Sequence, residues 1–121
     1  LNITAVYNAK QTKRILDCLD KKTNVIISIF AGRAADTGKN PVPEFVKSIK
    51  MAKKFKNVEI LWASVREPYN YLQAKKLGCH IITVPPAIIE KIENSSKSFN
   101  QLTKETVKAF LIDSKKSRFK I

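Results

Sequence analysis

No stretch of this 121-residue chain approaches the roughly 18 consecutive apolar residues that a membrane span requires. Its start, Leu1-Asn2-Ile3-Thr4, also lacks the basic-then-apolar order of a secretory signal. Cysteine is scarce. Cys18 falls in a helical pattern and Cys79 at a strand start, and the pair forms neither a metal spacing nor a Cys-x-x-Cys redox motif. Two buried free thiols in a reducing compartment are the expectation, and with it a cytoplasmic protein that holds no metal and has no membrane partner. The single histidine, His80, begins an apolar run that reads as a buried strand, and its place at the strand's start, where α/β proteins do not bind ligands, points to a structural role.

Acidic residues are few: ten against 23 Lys and Arg, a formal charge of +13. A field of that sign attracts phosphate backbones through counterion release. The distribution argues against a nucleic-acid groove. Nineteen of the basic residues are Lys, and they recur at helical spacing (Lys47, Lys50, Lys53, Lys54; Lys104, Lys108, Lys115), as on a solvated helix face. Phe45, Phe55, Phe99 and Phe110 lie among apolar residues like core anchors and are not interleaved with Arg as base-stacking platforms are. A basic nucleic-acid-binding protein is kept as an alternative whose affinity would have to fall with salt.

Arginine is also rare, and its placement is informative. Two of the four Arg end apolar segments that each carry a Ser as well: Val25-Ile26-Ile27-Ser28-Ile29-Phe30-Ala31-Gly32-Arg33 and Val58-Glu59-Ile60-Leu61-Trp62-Ala63-Ser64-Val65-Arg66. If those segments are buried parallel strands, the repeat sets guanidinium and hydroxyl groups beyond strand C-termini, where α/β proteins bind ligands. A planar guanidinium fork and short hydroxyl donors suit an anion, phosphate first.

The rest of the chain alternates strands with helices. Ile3 to Tyr7 reads as a strand, and Asn8 caps a helix from Ala9 to about Asp20 with Ile15, Leu16 and Leu19 on one face. Val25 to Phe30 is a second strand, followed by a loop from Ala31 to Pro41 and a helix from about Pro43 to Phe55. Val58 to Ala63, a helix opened by Pro68 and closed by Gly78, and a strand from His80 to Val84 come next. A helix around Ile88 to Ile92 and a last helix from near Thr103 to about Ser114 complete the pattern, ahead of a basic tail over 115–121. Trp62 reads as packing, and Asp36, Thr37 and Gly38 either turn the long loop or touch substrate.

Strand starts about 22, 33 and 22 residues apart are of βα-unit size. Continuous Val/Ile/Leu strands imply a parallel sheet covered on both faces. The first and last strands look as interior as the middle two, yet an open four-stranded sheet would leave both as unprotected edges. Four βα units are half of a parallel (β/α)8 TIM barrel, in which every strand has two neighbours. The expected fold is therefore α/β, with residues 1–121 as the last four units of one barrel domain plus a C-terminal helix.

Leu1-Asn2-Ile3-Thr4-Ala5-Val6-Tyr7, Ser28-Ile29-Phe30-Ala31-Gly32-Arg33 with Ala34-Ala35-Asp36-Thr37-Gly38, Trp62-Ala63-Ser64-Val65-Arg66 and Gly78-Cys79-His80-Ile81-Ile82-Thr83-Val84-Pro85 together resemble the transaldolase family, which includes the fructose 6-phosphate aldolases. The resemblance implies a Schiff-base aldol enzyme on a TIM barrel, in which a strand Lys carries a dihydroxyacetone unit between sugar phosphates and no cofactor is needed. It matches Thr4 to a residue holding the catalytic water, Asn2 to one beside the Schiff-base carbon and Ser28 to a substrate-hydroxyl contact. Arg33, Ser64 and Arg66 match the sugar-phosphate contacts. Phe30 matches a Tyr in the aldolases but a Phe in the transferases; a phenyl ring donates no proton, which favours transaldolase over fructose 6-phosphate aldolase.

The family's lysine and its two assisting carboxylates belong to strands before Ile3, and none of the nineteen Lys lies in a strand here. By itself the chain is expected to be inactive, a fragment partnered by a missing N-terminal half-barrel or by a second copy of itself. A non-catalytic phosphosugar-binding half-barrel is the other alternative.

Overall fold

The structure is a computed structural model that describes residues 1–116. It divides into two compact units, the first Leu1–Lys91 and the second beginning at Ile92. The first holds β1 (Asn2–Val6), α1 (Ala9–Cys18), β2 (Val25–Phe30), α2 (Ala31–Ala35), α3 (Val42–Ala52), β3 (Val58–Ala63), α4 (Pro68–Leu77) and β4 (Ile81–Ile82). Helix α5 (Pro86–Glu93) follows, and α6 (Phe99–Lys116) lies in the second unit.

Local chemistry sets the helix ends. The Asn8 side chain accepts from the Gln11 N–H at 2.8 Å while Gln11 Oε1 accepts in return from the Asn8 N–H at 3.3 Å, so two otherwise unpaired donors are satisfied at the start of α1. Glu67 and Asn70 form the same reciprocal box at α4, with Pro68 in the first turn where no N–H is needed. Gly78 closes α4 at φ +79°, a left-handed conformation that a Cβ disfavours.

All four strands are parallel, in the spatial order β1-β2-β3-β4. A doubly wound sheet reverses its order at a switch point, whereas this one never does. Sequential order with a helical crossover between strands is the arc of a (β/α)8 barrel, and the four units amount to half of one.

Register fixes the faces. Val25, Ile27 and Ile29 pair with Val58, Ile60 and Trp62. All six are at most 3% exposed, and Phe45 of α3 stacks on Trp62 with ring centroids 4.3 Å apart, so this is the face under the helices. Helices α1 and α3 are joined beneath their apolar contacts by the buried Thr12 and Ser48 hydroxyls, 2.8 Å apart. The other face carries Asn2, Thr4, Ile26, Ser28, Phe30, Glu59, Leu61 and Ala63 by strand alternation.

Four expectations are corrected by this structure. Cover on both sheet faces is found only beneath the helices; on the other face Ser28, Leu61 and Ala63 are buried, while Asn2, Thr4 and Glu59 are exposed. The supposed loop from Ala31 begins with the helical turn α2, and the fourth strand shortens to Ile81–Ile82. Helix α6 starts at Phe99 instead of near Thr103, because Ser98 and Gln101 cap it reciprocally at 3.2 and 2.8 Å.

Two further assignments fail on exposure. Phe99 and Phe110, expected in the core, are 88% and 68% exposed, since helical periodicity marks a stripe without showing what covers it. Cys18 is exposed, not buried, because it occupies the solvent side of α1's last turn. Lys115 and Lys116 of the basic tail end α6, and the rest of the tail lies outside the described residues.

Candidate functional site

Two chain segments meet at the C-terminal ends of β2 and β3. The Gly32 N–H donates to the Ser64 carbonyl at 2.9 Å, and the Arg33 N–H donates to Ser64 Oγ at 3.1 Å. Ser64 reaches this position with φ +62°, a left-handed conformation uncommon for a residue with a side chain. The approach depends on glycine: a Cβ at position 32 would collide with the Ser64 carbonyl oxygen and lie 2.7 Å from Arg66 Cγ. Sequence therefore sets both Ser-Arg motifs at strand ends, and a glycine contact joins them.

The two guanidinium groups face different openings. Arg33 lines a cleft of about 390 Å³ with Tyr7, Asn8, Thr37, Lys39 and Glu44. Arg66 lines one of about 300 Å³ with Ser64, Thr83 and Pro85. Arg66 Nη2 donates to Asp36 Oδ2 at 3.0 Å, and among the described residues Arg33 has no ion pair. Ser64 lies between them, bonded to the backbone of one motif and belonging to the other.

Beside this rim, on the sheet face away from the helices, Ser28 Oγ donates to Asn2 Oδ1 at 2.7 Å across β1 and β2. Thr4 is exposed one alternation further along β1, just before Ala5, whose φ of +58° interrupts the regular pairing of β1 with β2. Phe30 ends β2 half-buried, its ring edge-on to Tyr7 with centroids 5.9 Å apart. Polar groups of β1 and β2 thus share one face, and the Arg and Ser groups occupy the rim beyond β2 and β3. No group of three or more His, Cys, Asp or Glu among the described residues is arranged to hold a metal ion.

The whole chain, residues 1–121, matches the family model described as Transaldolase/Fructose-6-phosphate aldolase. The chain belongs to this family. It is 34% identical over 95 residues to the probable transaldolase of Rhodospirillum centenum, covering 76% of this chain and 39% of that protein. The probable transaldolase of Nitrosopumilus maritimus is 32% identical over 119 residues, 93% of this chain and 48% of the relative. That of Mesorhizobium japonicum is 33% identical over 126 aligned positions, spanning 100% and 52%. The chain thus spans about half the length, or less, of the curated relatives it matches.

Within this transaldolase-family chain the structure brings Asn2 to Ser28 and Arg33 to Ser64, and leaves the Arg33 and Arg66 side chains in separate clefts. Two residues of the rim escaped sequence reasoning. Gly32 was legible only as part of a motif, since the close approach it permits involves a segment some thirty positions away. Asn70 accepts from the Arg66 N–H at 2.9 Å, and Glu67-Pro68-Tyr69-Asn70 is the cap signal that marks it.

At the opposite end of the sheet, His80 Nδ1 accepts from the Ile60 N–H and the His80 N–H donates to the Ile60 carbonyl, both at 3.0 Å. That pairing extends the β3–β4 ladder and gives His80 a structural task. Burial pushes the neighbouring Cys79 thiol up to about 11. No helix among the described residues is long and apolar enough to cross a membrane.

Proposed function

We propose that this chain is the phosphate-binding half of a transaldolase, an enzyme that moves a dihydroxyacetone unit between sugar phosphates in the pentose phosphate pathway through a lysine Schiff base. The observation that carries the proposal is the rim itself: two strand-end Ser-Arg motifs locked together through Gly32 and Ser64 in a member of the transaldolase/fructose-6-phosphate aldolase family. Arg33, Ser64 and Arg66 hold the phosphate by charge-assisted and hydroxyl hydrogen bonds. Asn2 and Ser28, already bonded to each other, face the sugar hydroxyls near the reacting carbon, and Thr4 orients the water that moves protons.

None of the four strands holds a lysine, so the nucleophile is supplied by strands outside this chain. A preceding half-barrel covers the sheet face on which Asn2, Thr4 and Glu59 reach solvent. That assignment makes the missing half, with sugar phosphates, the principal partner.

Phe30 favours transfer over cleavage between the two activities of the family. Its phenyl ring lies at the end of β2 beside Tyr7 and offers no proton to the three-carbon enamine that stays on the lysine after the aldose leaves, so protonation and hydrolysis to free dihydroxyacetone are slow and transfer to an acceptor aldose phosphate prevails. In the full-length protein, three-carbon transfer from fructose 6-phosphate to erythrose 4-phosphate should exceed dihydroxyacetone release at least about tenfold, and Phe30→Tyr should narrow that ratio. Release as fast as transfer in the unsubstituted protein overturns the assignment in favour of an aldolase.

A further inference from the structure

We propose that Asp36 is a positioning residue: its carboxylate holds the Arg66 guanidinium in the orientation that receives the substrate phosphate. This rests on the phosphate reading of Arg66 given above and adds a residue to that site. The contact links two strand-end segments thirty positions apart, Arg66 Nη2 donating to Asp36 Oδ2 at 3.0 Å.

Arginine is a long side chain, and on an exposed rim it samples many rotamers unless something fixes it. Here the chain is fixed at three levels. Its backbone N–H is held by Asn70 Oδ1 at 2.9 Å, its Cγ lies against Gly32, and its terminal nitrogen is held by Asp36. Among the described residues only one of the five guanidinium N–H donors is consumed, so a fork remains for an incoming anion.

The charge of Asp36 opposes this benefit, because a carboxylate near a phosphate repels it. Exposure decides the balance. The Arg66 and Asp36 side chains are 54% and 59% exposed, so water and salt screen the repulsion between Asp36 and a phosphate bound on the far side of the guanidinium more than the direct 3.0 Å hydrogen bond that orients it. The same exposure excludes a large structural role, since solvent-exposed ion pairs contribute little to stability.

The test uses the full-length protein that contains this chain. Asp36→Ala is expected to raise the KM for fructose 6-phosphate and the inhibition constant of inorganic phosphate together, by about three- to tenfold. The kcat and the KM for an unphosphorylated donor, fructose, stay unchanged, and Asp36→Glu recovers most of the loss. In an Arg66→Ala background, Asp36→Ala should add nothing.

If Arg66→Ala weakens phosphate binding but Asp36→Ala leaves it unchanged or tighter, the positioning role is wrong and the phosphate reading stands. An equal effect of Asp36→Ala on the unphosphorylated donor also overturns it, as does full persistence of the effect without Arg66. If Arg66→Ala changes neither phosphate constant, both readings fall together.

Discussion

A single glycine determines how closely the two Ser-Arg segments meet, and the neighbouring side chains then have little choice of position. With hydrogen at Gly32, the Ser64 carbonyl and hydroxyl both come within hydrogen-bonding distance of consecutive backbone N–H groups of the β2 segment. The two cysteines show the same dependence on local surroundings. Cys18 is exposed, while Cys79 is partly buried between α4 and β4 with its thiol raised from the ordinary value of 9.0 to about 11. Iodoacetamide at pH 8 should therefore alkylate Cys18 rapidly and Cys79 at least about tenfold more slowly, because only the thiolate attacks. Peptide mass mapping reads both sites, and equal rates would contradict the placement of Cys79. The sign for stability follows: a folded value above the unfolded one leaves the Cys79 contribution intact below about 9 and removes it as pH rises through about 11. Arg33, Ser64 and Arg66 were legible just beyond strand ends, because apolar runs mark strands well, whereas Ser28, expected there too, lies inside β2 on its sheet face. The sequence did not show that Asp36 reaches Arg66, since that contact depends on how two loops cross.

At the scale of elements, β2, β3 and α3 were legible because their apolar residues fit a single period and tertiary packing agrees with it: Val25, Ile27, Ile29 and Phe45 are all buried. Helix α2 was not, because one turn over Ala31–Ala35 gives no periodic signal and two nearby glycines suggest a loop. The start of α6 was carried by Ser98 and Gln101, a cap signal stronger than the one at Thr103. Packing between α1 and α3 rests partly on a polar contact, Thr12 with Ser48, inside an otherwise apolar layer. Thr12→Val should destabilise the fold by about 1–3 kcal/mol, because the Ser48 hydroxyl is left buried without its partner. Adding Ser48→Ala should recover part of that loss, as a urea-denaturation cycle over the four variants will show. Full additivity of the two substitutions would mean that the hydroxyls are not coupled.

For the whole molecule, the sequential parallel order of the sheet and the match over residues 1–121 make the chain a transaldolase-family half-barrel. Barrel architecture was legible from βα spacing and from the continuous apolar strands, while the exposure of Asn2, Thr4 and Glu59 on one sheet face became visible only in three dimensions. Under the proposed chemistry, the rim binds the phosphate and the reacting lysine comes from elsewhere in the barrel. Incubating the full-length protein with fructose 6-phosphate, reducing with borohydride and mapping the modified peptide locates that lysine directly. A stable three-carbon adduct is expected on a lysine outside residues 1–121 and none on the nineteen lysines within them. An adduct on any of those nineteen, or full activity with no adduct at all, would contradict that chemistry.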